Sequence, residues 1–328
     1  MQTWLRRGIV LGCSVIIMTS AGLGLTATSY GDTAAPPPAP SPPSSSPPAP
    51  APPSSFPPSS SPAEVTVASA GPTVAMWAWN WTDSAAMVSF AQANGVTEIF
   101  AYVAPGFTDP TYVPWGWSQP QLPLEESLSA DAAAAGITVY AMGGDPSWVP
   151  NPTDGTRWAN EALATGLFQG IHVELEPWAL SSWGTDQAGT IDQYLTELAD
   201  IHAVAQTYGL PDEISIPYWL SMYSTSTDVP LDVAAMQNAD AATVVTFFNS
   251  VSQIESFGRA ELAAAQSVGI PLRFAAEANQ DSPTWLSFYG DTLSEFDASI
   301  SQVNSDMDGT PGYLGIAVED YQGWSAMP

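Results

Sequence analysis

One unit recurs along the chain from Val74 onward: a helical segment, a glycine, then a short apolar strand. It reads AQANGVTEIFAYV from Ala91, AAAAGITVYAM from Ala132, AQTYGLPDEISIPYW from Ala205 and AQSVGIPLRFAAE from Ala265. Glycine just past a helix tolerates the left-handed backbone that ends it, and the β-branched and aromatic run after it suits a strand buried on both faces. The pattern predicts eight strands, near 74–79, 97–103, 137–142, 170–176, 213–219, 242–248, 271–277 and 312–319, with helices between them such as 190–208 and 250–268. Eight β/α units in about 250 residues predict a single (β/α)8 barrel of the α/β class. A doubly wound open sheet would carry a glycine-rich phosphate loop after its first strand, and WNWTD follows here instead.

The barrel occupies residues 64–328 in this division of the chain. Before it, residues 30–63 form a Pro/Ser/Ala-rich linker, with AAPPPAPSPPSSSPPAPAPPSSFPPSSSP at 34–62. Such a stretch favours an extended, semi-rigid spacer. Residues 1–29 read as a signal peptide: Arg6 and Arg7, an apolar run from Gly8 to Leu25, then the small residues Ala27 and Ser29. Left uncleaved, the same run would be an anchor, and only then would the protein meet a membrane. The expectation is a secreted or cell-surface, cell-wall-associated protein.

After residue 29 the chain has three arginines and no lysine against all 33 of its acids, a formal charge of −30. So negative a body repels phosphate backbones, which excludes nucleic acid as a partner. Charged residues are 12% and hydrophobic residues 45% of the chain, which predicts a packed core. The single cysteine, Cys13, lies in the signal, so stability must come from that core, and a monomer is expected. With no exported cysteine and two histidines, no zinc site or other cofactor is expected; a carboxylate calcium site would have no EF-hand loop to mark it. A G-x-S-x-G elbow is absent, which removes support for a serine hydrolase.

Active sites of such barrels lie at the C-terminal ends of the strands. Those ends carry Trp77, Trp79 and Asn80; Asp145; Glu174, Glu176 and Trp178; Trp219; Asn249; Glu277; and Glu319 and Tyr321. Acids, amides and aromatics at one rim suit a sugar, whose ring faces stack on aromatics while its hydroxyls bond to carboxylates and amides. The partner expected is therefore a polysaccharide or oligosaccharide. Among the tryptophans, Trp77, Trp79, Trp81, Trp115 and Trp117 divide between stacking on sugar and packing under loops.

The stretch QGIHVELEPW at 169–178 is the most informative of these ends. Ile171, Val173 and Leu175 alternate with His172, Glu174 and Glu176, which puts an imidazole and two carboxylates on one strand face. Residues two apart lie about 6.5–7 Å apart on that face. Like charges so close push one carboxyl toward its protonated form, as a general acid requires. His172, one step deeper, either tunes Glu174 or is a satisfied core histidine, and His202 falls in a helical pattern as a surface residue.

These strands resemble family 18 glycoside hydrolases, the chitinase-like barrels. That family has S-x-G-G on strand three and D-G-x-D-x-D-x-E on strand four; here stand Ala141-Met142-Gly143-Gly144 and Gln169 through Glu176. Its M-x-Y-D/N on strand six is matched by Thr246-Phe247-Phe248-Asn249. The resemblance implies that Glu176 is the acid and that Glu174 replaces the aspartate supporting the substrate's acetamido group, with Phe248 in the place of tyrosine. Glu176-Pro177 with Glu277 also resembles the clan A retaining glycosidases, with Leu175 in the place of asparagine. That comparison implies an acid/base Glu176 and a nucleophilic Glu277. The expected function is an exported glycoside hydrolase working through paired carboxylates, with retention of configuration. The alternative is a catalytically inactive barrel that binds sugar at the cell surface.

Overall fold

The computed structural model describes residues 71–328. The expected signal peptide, the linker and the first few residues of the expected barrel segment lie outside them. The strands are β1 (Thr73–Ala78), β2 (Glu98–Tyr102), β3 (Thr138–Gly143), β4 (Gly170–Val173), β5 (Asp212–Pro217), β6 (Ala241–Val245), β7 (Leu272–Glu277) and β8 (Tyr313–Glu319). They pair in chain order, and β8 pairs with β1 to close a barrel. Every pairing is parallel. Helices alternate with the strands: α1 (Ser84–Ala93), α2 (Gln121–Ala135), α3 (Thr153–Ala164), α4 (Ser181–Thr185), α5 (Gln187–Tyr208), α6 (Leu231–Met236), α7 (Val251–Val268), α8 (Leu293–Met307) and α9 (Tyr321–Ser325). No described helix is long and apolar enough to cross a membrane.

The recurring glycine does what the pattern predicts. Gly136 and Gly209 close α2 and α5 at φ 72° and 68°, the left-handed conformation that a side chain would disfavour. Helix α7 matches its expected span to within one residue. Strand β4 differs: the ladder ends at Val173, three residues earlier than expected. Glu174 N–H still donates to the Gly143 carbonyl at 2.9 Å. Pro177 then has no N–H to give and begins a 3₁₀ turn, so Glu176 leaves the ladder.

Period-2 alternation divides each strand between the outer layer of helices and the barrel interior, and the interior is filled in layers. At the floor, buried Arg273 on β7 pairs with Glu98 on β2 and, at 3.3 Å, with Glu213 on β5. Above the floor Ala75, Trp77, Phe100, Met142, Ala275 and Ala317 pack together, with Trp79, Tyr102, Tyr140 and Phe247 against them. The remaining apolar residues form the larger core between barrel and helices.

Candidate active site

The mouth of the barrel is where the carboxylates meet. Glu174 and Glu176 are both half-buried, with Leu175 between them turned into the outer core. The expected alternation therefore holds through the end of β4, even where the ladder has stopped. Glu176 has its carboxyl pushed up to about 8, first by burial and then by the charge of Glu174. It therefore keeps a proton to give near neutral pH. Glu174 accepts a hydrogen bond of 3.2 Å from the Ser215 hydroxyl on β5, and His172 Nε2 lies 2.9 Å from the same hydroxyl.

Across the mouth, Glu277 and Glu319 are register partners on β7 and β8. Trp79 Nε1–H donates to Glu319 at 2.8 Å, and the Trp79 ring lies 5.6 Å from Tyr102. Burial raises the Glu319 carboxyl well above the ordinary range, and Glu277, Glu174 and Asp320 push the same way. Glu277 is also raised well above it by burial, against the hydrogen bonds it accepts from the backbone N–H and side-chain amide of Asn279 at 2.5 and 2.9 Å. Its charged neighbours include Asp320 and Asp281. Glu277 is thus 4% exposed and has one carboxylate oxygen engaged by Asn279.

A second wall is aromatic. Trp178, in the turn after β4, meets Trp219, after β5, edge to face at 5.0 Å; Trp183 and Tyr223 extend the group. All four are half-buried. This wall adjoins Glu176 in sequence and offers ring edges and faces of the kind that receive a sugar.

Several expected binding residues are placed otherwise. Trp77 is fully buried, edge-on to Phe100 and His172 at 5.5 Å, so it fills the barrel one layer below the mouth. Trp81 is core as well, packed on Trp117 at 5.0 Å, whereas Trp115 stands 66% exposed. Asp145 is exposed and caps a 3₁₀ turn by accepting from Ser147 N–H at 2.8 Å. Asn80 accepts from the Gln322 amide, Tyr321 packs edge-on to Phe90 at 5.7 Å, and Asn249 is exposed at the rim. Phe248 is buried in a stack with Phe257 and Trp285, and Phe247, two residues past β6, is the aromatic that meets the interior cluster.

His202 is not a free surface residue. Its Nδ1 lies 2.6 Å from Asp212 Oδ1, and Asp240 completes a trio whose ligating atoms lie within 4.8 Å of one another. Asp212 begins β5, so this group sits at the end of the barrel opposite the mouth. Hydrogen bonds from Gln206 and from the Asp212 N–H to Asp240 already engage it. Ser215 was not anticipated, although it shares a strand face with Glu213 and is the small polar residue of EISIP. Trp183 lies in the one-turn helix α4 and Tyr223 just after a 3₁₀ turn, both too short for periodicity to mark them.

No family model matches the chain, and no curated protein matches it. Among solved structures it is similar to a GH18 chitinase from Pseudoalteromonas aurantia, with TM-score 0.52 and 11% identity over 76% of this chain and 93% of that one. It is also similar to the C-terminal domain of a chitinase-like protein from Desulfitobacterium hafniense DCB-2, with TM-score 0.50 and 10% identity over 78% and 95% of the two chains. At such identity the likeness is one of fold: a closed (β/α)8 barrel of the form those structures have.

Proposed function

We propose that this chain is an exported glycoside hydrolase acting on a cell-wall or environmental polysaccharide, with Glu176 as proton donor and Glu174 as its partner carboxylate. The observation that carries this is the pair of half-buried carboxyls at the barrel mouth, where burial first and then Glu174 push the Glu176 carboxyl up to about 8. Trp79, Trp178 and Trp219 would take sugar ring faces, and Glu319 and Glu277 would bond hydroxyls.

Two residues apart just past the end of β4, Glu174 and Glu176 share a side of the sugar. Glu174 is therefore read as orienting a substrate N-acetyl group, and retention of configuration follows from the substrate itself. The acetamide oxygen bonds to the anomeric carbon as the glycosidic C–O bond breaks, and the Glu176 proton goes to the leaving oxygen. Water then opens the cyclic intermediate and returns a proton to Glu176. On this account the substrates are polymers of N-acetylated hexosamines.

The full chain is to be incubated with N-acetylated and plain oligosaccharides, with reducing ends detected. Glu176→Gln keeps the shape but has no proton to give, and should lower turnover about 10²–10⁴-fold with an unchanged circular dichroism spectrum. Azide added to Glu277→Gly with an activated glycoside should give no glycosyl azide. If it does, Glu277 is the nucleophile and the acetamide route is wrong. Ligand retained without new reducing ends would make the protein a sugar-binding barrel.

A further inference from the structure

His172 is fully buried, stacked on Phe100 with ring centroids 3.8 Å apart and edge-on to Trp77. Hydrophobic packing alone would be served better by leucine or phenylalanine, because a buried ring nitrogen costs free energy that only its hydrogen bonds offset. Nε2 lies 2.9 Å from Ser215 Oγ and 3.6 Å from Glu174 Oε1. Nδ1 has no hydrogen-bond partner and lies 4.0 Å from Glu213. A hydrogen-bonded path therefore runs up the barrel from His172 through Ser215 to Glu174 at the mouth, with Glu213, the partner of Arg273, below its lower end.

Ser215 fixes the direction of this path. A carboxylate oxygen can only accept, so Ser215 gives its one hydrogen to Glu174 and accepts from Nε2–H of His172. We propose that His172 and Ser215 form a buried hydrogen-bond relay that fixes the Glu174 carboxylate beside Glu176, making His172 a positioning residue for the acid pair. This rests on Glu176 being the acid proposed above. The other titratable groups around the relay are Glu98 and Tyr102 on β2, Tyr140 on β3, Glu213 on β5, Glu277 on β7 and Glu319 on β8. Arg273 is the one arginine inside the barrel among the described residues. In so acidic an interior a carboxylate without donors would turn aside or take up a proton. Glu176 would then lose the neighbouring charge that helps it hold its own proton.

The variant His172→Leu fills the space without a donor. The alkaline limb of its kcat/KM profile, set in the parent by Glu176 near 8, should move down by on the order of one pH unit. Ser215→Ala should move it the same way, and the double variant no further than the larger single shift, since both cut one path. His172→Gln, which can place an amide N–H near the position of Nε2, should restore much of the parent profile. If His172 only fills space, Leu would change the melting temperature and leave the limb in place. The Ser215→Ala variant carries the test if Leu prevents folding. Glutamate carboxyls labelled with carbon-13 and titrated by NMR read Glu176 directly, with no need of turnover. A parent that hydrolyses nothing would thus count against the proposed function and still leave the relay measurable. An unchanged Glu176 titration in both His172→Leu and Ser215→Ala would overturn the relay.

Discussion

A Cβ built on Gly144 would fall 2.1 Å from the Glu174 carbonyl oxygen, closer than any real contact, and its φ of 154° disfavours a side chain as well. The end of β3 can approach the end of β4 only because this residue has no side chain. Gly144→Ala must therefore push Glu174, and Glu176 after it, out of place. We expect turnover to fall by far more than the loss of melting temperature would account for, since a shift of about 1 Å at a site can cost on the order of 10²-fold. Kinetics and thermal melts on the same preparation check this; a variant with a lowered melting temperature and unchanged kcat would show that the approach serves folding alone. The two glycines were legible in the sequence as the end of strand three, without their reason. Alternation likewise gave the face of His172, Glu174 and Glu176 but not depth. Trp77 and Trp79 share a face, and one fills the barrel while the other reaches the mouth, because period-2 reasoning says nothing about how far up the barrel a position lies.

At the scale of elements, the floor of the barrel joins strands that are distant in sequence. Arg273 on β7 donates to Glu98 on β2, to Glu213 on β5 and, at 2.5 Å, to the Thr73 hydroxyl on β1. Thr243 on β6 also donates to Glu213. One guanidinium thus compensates two buried carboxylates, and Glu98 is still pushed up to about 7, mainly by burial. Arg273→Met keeps most of the volume and leaves both acids without their cation. Removing one partner of a buried pair costs about 3–5 kcal/mol, so the urea midpoint should drop accordingly. A loss below about 1 kcal/mol would show that the acids simply take up protons and need no arginine. Nothing in the sequence pairs Arg273 with Glu98, because 175 residues separate them and only barrel closure brings them together. Local signals did place the elements: the glycine caps gave the ends of α2, α5 and α7, and the proline of Glu176-Pro177 was the available sign that β4 would stop short.

For the whole molecule, the eightfold repeat made the barrel legible, and the lack of cations made its acidity plain. What composition could not show is how many carboxyls fold into places that oppose their charge. Glu261 on α7 is buried against Asp232 on α6, and Glu197 on α5 against the Gly155 backbone on α3; each is raised from the ordinary 4.5 to about 8, first by burial. Asp212 is raised to about 6, again by burial first. In each case the folded state holds its proton more tightly than the unfolded chain. The stability the two glutamates contribute is full below about pH 4.5 and is lost as pH rises toward 8, and that of Asp212 is full below about 3.8 and lost toward 6, where the folded forms must ionise as well. Asp109 and Glu295 are shifted the other way, but they are exposed surface groups with little leverage on that trend. Repulsion among the 33 acids grows over the same range and adds to the loss. Calorimetric melts of the full chain between pH 4.5 and 8.5 should therefore show the melting temperature falling throughout. Glu261→Gln, which cannot ionise, should make the fall shallower by about one proton, or roughly 1.4 kcal/mol per pH unit within the window. A melting temperature that rises with pH would mean that these carboxyls are ionised and paired in the fold, and the Glu176 acid, raised by the same burial, would lose its basis with them.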